Sequence, residues 1–173
     1  MVVIADASPL NYLVLIDRIE LLQRLFTQVF VPDQVLEELR RPEAPPPVSQ
    51  WVANRPDWVQ RVAIPLLPED PILEQLGMGA RAAIALAETA LPDVLLVIDE
   101  VKGRRIARQR QIPIVGILGI LELSAAQGWI DLPAVVAELR GTSFWIAPDL
   151  IESLLDRDSS RKTKRQSPKE TDF

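Results

Sequence analysis

The 173-residue chain contains neither cysteine nor histidine, and these two absences remove much of the familiar catalytic apparatus. Without cysteine there is no disulfide framework and no thiolate nucleophile. Without histidine there is no serine–histidine pair, no imidazole general base and no histidine-held zinc. Any metal ion must therefore be held by oxygen ligands, which selects hard cations such as Mg²⁺ or Mn²⁺. Long apolar runs are also missing. The nearest to the roughly 20 residues a membrane span requires is 112–123, and Glu122 interrupts it. The opening Met-Val-Val-Ile-Ala-Asp has no basic n-region, and its apolar stretch is too short for a secretory signal. The expectation is a cytoplasmic protein with no membrane partner.

The chain is 48% hydrophobic and 25% charged, ordinary proportions for a globular protein, and its length suits one domain with a full core. A net charge of −5 excludes a broadly basic nucleic-acid coat but leaves room for a local basic patch. Residues 158–173 differ from the rest. They are polar and carry five basic against three acidic residues, which reads as a disordered basic tail behind a domain spanning 1–157.

Two apolar segments each end on an aspartate: Val2-Val3-Ile4-Ala5-Asp6 and Val94-Leu95-Leu96-Val97-Ile98-Asp99. Such continuous β-branched and leucine runs are typical of strands buried on both faces of a parallel sheet. Further strands are expected at Val29–Val31, 58–64 and Ile114–Val115. Helices are expected over 33–39, 48–53, 79–90, 101–111, 118–127, 132–139 and 148–155, with Ser8 capping and Pro9 opening the first one. Strands alternating with helices give an α/β fold with a parallel sheet of four or five strands.

In such sheets ligands bind beyond the carboxyl ends of the strands. If the two aspartate-ended strands are neighbours, about 4.8 Å apart, Asp6 and Asp99 face one crevice and a divalent cation relieves their repulsion. Asp6 otherwise reads as a turn residue, although Ser8 leaves it no capping task. Asp99 also fits a helix N-cap, and Glu100 is either a second ligand or a favourable charge in a first helical turn. Val35, Leu36 and Leu39 form the buried stripe of the third helix. At about 100° per residue, Glu37 points away from that stripe while Glu38 flanks it. The basic helix that follows carries Lys102, Arg104 and Arg105, either as a solvated face or as a grip on the phosphates of a polyanion.

With those residues in place, the chain resembles the PIN-domain ribonucleases, specifically a bacterial PIN-like branch related to VapC-like toxins. The resemblance runs through VVIADASPLNYLVLI, FVPDQVLEELRRP, AAIALAE and LLVIDEVKGRRIARQRQIPIVGILGIL, and spans roughly Val2 to Leu155. It implies a three-layer α/β/α fold and Mg²⁺- or Mn²⁺-dependent cleavage of single-stranded RNA. It implies metal-binding and catalytic acids at Asp6, Glu38 and Asp99, with Glu100 beside them and Ser8 as the nearby hydroxyl. It also implies a toxin role with a small antitoxin partner, and a homodimer.

The departures from the family pattern are Ala80 and Ala82, where an acid is expected, and Ile117, where a threonine is common. Three of four family acids then remain, and the alternative is a degenerate PIN fold that binds RNA or a protein without cutting. A phosphotransferase using Asp6 as nucleophile lacks a second nearby aspartate for acid–base work.

Overall fold

Strand β1 (Val2–Ala5) lies at the centre of the sheet, flanked by the two strands that the chain reaches in opposite directions. The computed structural model describes residues 1–166. From β1 the chain runs through α1 (Ala7–Leu15) and α2 (Glu20–Phe26) to β2 (Val29–Pro32). It then passes α3 (Asp33–Leu39) and α4 (Pro46–Ala53) to β3 (Val59–Val62) at one edge. A 3₁₀ turn (Leu73–Gln75) and α5 (Met78–Thr89) return it to β4 (Val94–Val97), paired with the other side of β1. Finally α6 (Val101–Gln109) leads to β5 (Ile114–Val115) at the opposite edge.

The strand order is β3-β2-β1-β4-β5 and every pairing is parallel. Parallel neighbours cannot be joined by hairpins, so each connection is a helical crossover. Such crossovers are right-handed, so those moving outward from β1 in opposite senses occupy opposite faces. The expected α/β class with a parallel sheet of four or five strands is what the chain adopts, with five strands among the described residues.

Between β1 and β4 the strand order reverses, which is where parallel α/β sheets open a binding crevice. Their register is continuous, with Val2 opposite Val94 through Ala5 opposite Val97. Both strands therefore end at the same level, and the residues that follow them emerge side by side.

The described chain forms two compact units, residues 1–120 and a second that starts at Leu121. In the first, one sheet face presents Ile4, Leu96 and Ile98 to Ala83, Ile84 and Ala87 of α5 and to Ile106 and Ala107 of α6. The alanines matter because a helix with small side chains can lie close to a sheet. Each fully buried isoleucine or leucine in this cluster contributes about 1.5–3 kcal/mol.

The second unit begins within α7 (Ile117–Ala126) and contains α8 (Leu132–Arg140) and α9 (Pro148–Gln166). Asp131 caps α8 by accepting the Ala134 N–H at 3.4 Å.

Two local readings change. Helix α1 begins at Ala7, so Asp6 takes the N-cap position and Ser8 lies inside the first turn. Asp6 nevertheless makes no side-chain capping hydrogen bond. Helix α9 continues past Leu155 to Gln166, so 158–166 are helical where a disordered tail was expected. The reason is visible in its pairing: buried Asp158 binds Arg161 at 2.5 Å and Lys162 at 2.9 Å, one turn along. Residues 167–173, the remainder of the expected tail, lie outside the described residues.

Candidate active site

Asp6 is fixed by its backbone before its side chain is considered. Its N–H donates to the Val97 carbonyl at 2.9 Å, extending the β1–β4 ladder by one residue. That bond leaves the carboxyl in the crevice between the strand ends, only 4% exposed. Burial pushes its pKa up to about 7, against the pull of the Ala7 backbone N–H, and Glu38, Glu100 and Asp99 add repulsion. Among the described residues, no cation is among the groups that shift it.

The carboxylate opens on a cavity of about 590 Å³. Four segments meet there. After β1 come Ser8, Asn11 and Tyr12, on one face of α1 at i, i+3 and i+4 spacing. From α3 and the chain beyond it come Glu38, Arg41 and Glu43, from the start of α5 come Gly77 and Ala80, and after β4 comes Glu100.

Helix geometry places Glu38 as the sequence suggested: it is half-buried while Glu37 is exposed. Its Oε1 accepts the Gly79 N–H at 2.8 Å, satisfying one of the free donors at the start of α5. Gly79 permits this close approach, since a Cβ there would lie 2.8 Å from Glu38 Oε2 and the carboxylate would have to shift. Glu100 sits on the exposed rim. Partial burial raises its pKa, Lys102 opposes that shift, and Glu38 adds to it.

Asp99 has a different setting. Ile98 continues the ladder to β5 through the Val115 carbonyl, so Asp99 follows immediately beyond the sheet. Both its oxygens accept the Ile117 N–H at 3.1 Å, at the start of α7. Burial pushes its pKa up to about 6, with the Ile117 N–H and Arg104 opposing. Gly116 leaves room for this arrangement, because a Cβ there would fall 2.5 Å from Asp99 Oδ1. Asp99 stands near enough to Asp6 to repel it, yet it does not line the cavity.

The basic residues of α6 are also placed apart. Arg104 donates to the Ile98 carbonyl at 2.8 Å, which braces the chain leaving β4. Lys102 and Arg105 are exposed, and none of the three lines the cavity. The two alanines separate as well: Ala80 lines the cavity, whereas Ala82 is fully buried away from it.

Sequence reasoning overlooked Asn11, Tyr12, Arg41 and Glu43. The signal for the first two was the polar Ser8–Asn11–Tyr12 spacing, which sits off the buried Leu10 and Leu13 of α1. For Arg41 it was a position three residues beyond Glu38.

A larger hollow of about 830 Å³ runs along α9. Three of its four cations are already engaged, Arg157 with Glu122, Arg161 with Asp158, and Arg165 with the Ala126 carbonyl, and Lys164 is the fourth.

Among the described residues, no three acidic side chains are grouped closely enough to hold a metal ion together. The donors facing the cavity are nevertheless all oxygen, and burial, with added repulsion from its carboxylate neighbours, raises the pKa of the most buried one. Mg²⁺ usually binds through one or two carboxylates and keeps several waters. The set therefore fits a hard divalent ion bound largely through its own hydration shell.

A sequence model of a family described as a PIN domain matches residues 2–160. No curated protein and no solved structure matches the chain significantly.

Proposed function

Because the chain belongs to the PIN-domain family, we propose that it is a metal-dependent endoribonuclease that cuts single-stranded RNA in the cavity beside Asp6. Asp6 itself carries this reading. It is a nearly fully buried carboxyl at the point of strand-order reversal, the groups that shift its pKa include other carboxylates and no cation among the described residues, and it opens on a cavity shared with Glu38 and Glu100. Burying a carboxyl without a partner is costly, and a site for a cation gives it a purpose.

Asp6, Glu38 and Glu100 would hold Mg²⁺ or Mn²⁺, with Asp99 behind them. A bound divalent ion polarises a phosphate oxygen and acidifies the attacking water. The chain prepares that chemistry through position. Glu38 is oriented by the Gly79 N–H, so little side-chain freedom is lost when a ligand arrives. Asp99 secures the Ile117 N–H and Arg104 braces the Ile98 carbonyl, which together hold the turn that presents Glu100. The Ser8 hydroxyl faces the same cavity and offers a hydrogen bond to a phosphate oxygen. The resemblance to VapC-like toxins extends the proposal to a cytoplasmic toxin held by a small antitoxin, acting as a homodimer.

Cleavage of a labelled single-stranded oligoribonucleotide tests the reading. Mg²⁺ or Mn²⁺ should be required, EDTA should stop the reaction, and Asp6→Asn should abolish it. Undiminished cleavage by Asp6→Asn would overturn the site.

Two observations favour a second reading, in which the protein binds RNA or a protein without cutting. Ala80 lines the cavity where the family pattern places an acid, and no three acidic groups cluster among the described residues. An inactive wild type that gains Mn²⁺-dependent cleavage in Ala80→Glu would support it. Robust turnover by the wild type would dismiss it.

A further inference from the structure

The charges around the cavity pose a problem for any RNA ligand. Asp6, Glu38, Glu43 and Glu100 line it, and Arg41 is the one cationic side chain among the described residues that does so. An RNA backbone approaching four carboxylates needs positive charge from the protein as well as from bound ions.

The guanidinium of Arg41 is available for that task. It is exposed, and it makes no hydrogen bond or ion pair with the described residues. Its orientation is not left to chance. The Arg41 N–H donates to the Glu38 carbonyl at 3.4 Å, continuing the last turn of α3. Residues three apart on a helical turn face the same way, so Glu38 and Arg41 look into one cavity. By contrast, Arg104 is engaged by the Ile98 carbonyl, and Lys102 and Arg105 lie outside the cavity.

Tyr12, the only tyrosine in the chain, lines the same cavity from α1. An aromatic face beside a cation is the usual means of holding single-stranded nucleic acid, the ring stacking a base and the cation holding the backbone. A duplex offers no free base face to such a ring.

We propose that Arg41 and Tyr12 form the grip for single-stranded RNA, with Arg41 on a backbone phosphate and Tyr12 against a base. This rests on the RNA reading above and shifts substrate contact from α6 to the α1 and α3 side of the cavity.

The test is binding rather than turnover. A fluorescent twelve-nucleotide oligouridylate is titrated with the full chain by anisotropy, in Ca²⁺ and in EDTA, over a range of salt. Arg41→Ala should weaken binding roughly tenfold and lower the salt slope by about 0.7, the value for one phosphate contact on a single strand. Arg41→Lys should restore the slope. Tyr12→Leu should weaken binding without changing the slope, and a duplex of the same length should bind no better to wild type than to Tyr12→Leu.

Arg140→Ala, an exposed charge on α8, controls for loss of bulk charge, and thermal melts check that each variant folds. Wild-type affinity and slope in Arg41→Ala, or an equal loss in Arg140→Ala, would overturn the grip while leaving the nuclease reading in place. A wild type that neither binds nor cleaves RNA would overturn both.

Discussion

A carboxyl with a pKa near 7 makes folding stability depend on pH in an unusual direction. Asp6 moves from 3.8 in an unperturbed setting to about 7 in the fold, chiefly through burial. The folded chain therefore binds this proton more tightly than the unfolded chain. Between those two values stability falls as pH rises, and above about 7 the whole penalty is present. A shift of this size corresponds to at most about 4 kcal/mol. Asp99, raised to about 6 by burial, acts in the same sense. The metal-free protein should thus melt at higher temperature at pH 5 than at pH 8, and Asp6→Asn should flatten that dependence while raising the melting temperature at pH 8. A metal-free wild type that becomes more stable from pH 5 to pH 8 would contradict the burial of this group. The sequence made Asp6 conspicuous, because a carboxylate ending an apolar strand has few structural uses. It could not tell that Asp99 would accept the Ile117 N–H, because residues 18 apart are brought together only by the β4–β5 pairing.

Helix α5 shows how one element carries the site on one face and the core on the other. Gly79→Ala should lower stability by about 0.5–2 kcal/mol. Losing a hydrogen bond to a charged group costs about 1.5–3 kcal/mol, while alanine in a helix recovers about 1 kcal/mol over glycine. Its effect on cleavage should be much larger, because the added Cβ lies 2.8 Å from Glu38 Oε2 and must displace that carboxylate. A denaturation curve beside a rate measurement separates the two effects, and equal losses in both would reject this account of Glu38. The alanines give a second comparison. Ala82→Glu buries an unpaired carboxylate and should destabilise by several kcal/mol. Ala80→Glu opens on the cavity and should cost less, with part of the loss recovered by added Mn²⁺. Sequence comparison marked both positions as departures from the family pattern. Only the packing of α5 against the sheet decided which of them faces the site.

For the whole molecule, a ligand that binds only the folded state raises stability by mass action. Mg²⁺ or Mn²⁺ should therefore raise the melting temperature at pH 8, EDTA should reverse the rise, and Asp6→Asn should reduce it. Because the cation competes with the Asp6 proton, the rise should shrink as pH falls below about 7. A metal-induced rise that is unchanged in Asp6→Asn would move the ion elsewhere. What the sequence determined by itself was local. Apolar runs set the strands, 3.6-residue periodicity set the helices and turned Glu38 rather than Glu37 inward, and the lack of histidine and cysteine restricted any metal to oxygen donors. Tertiary structure decided what depends on contacts between distant segments. The β1–β4 register set the two strand ends side by side, so that Asp6 and Glu100 line one cavity, and the end of α3 carried Arg41 to the same cavity as Tyr12. Strand pairing beyond the ladder assigned Asp99 to the start of α7. Periodicity fixes which way a side chain faces along its own element, but only the packing of elements fixes what it meets there.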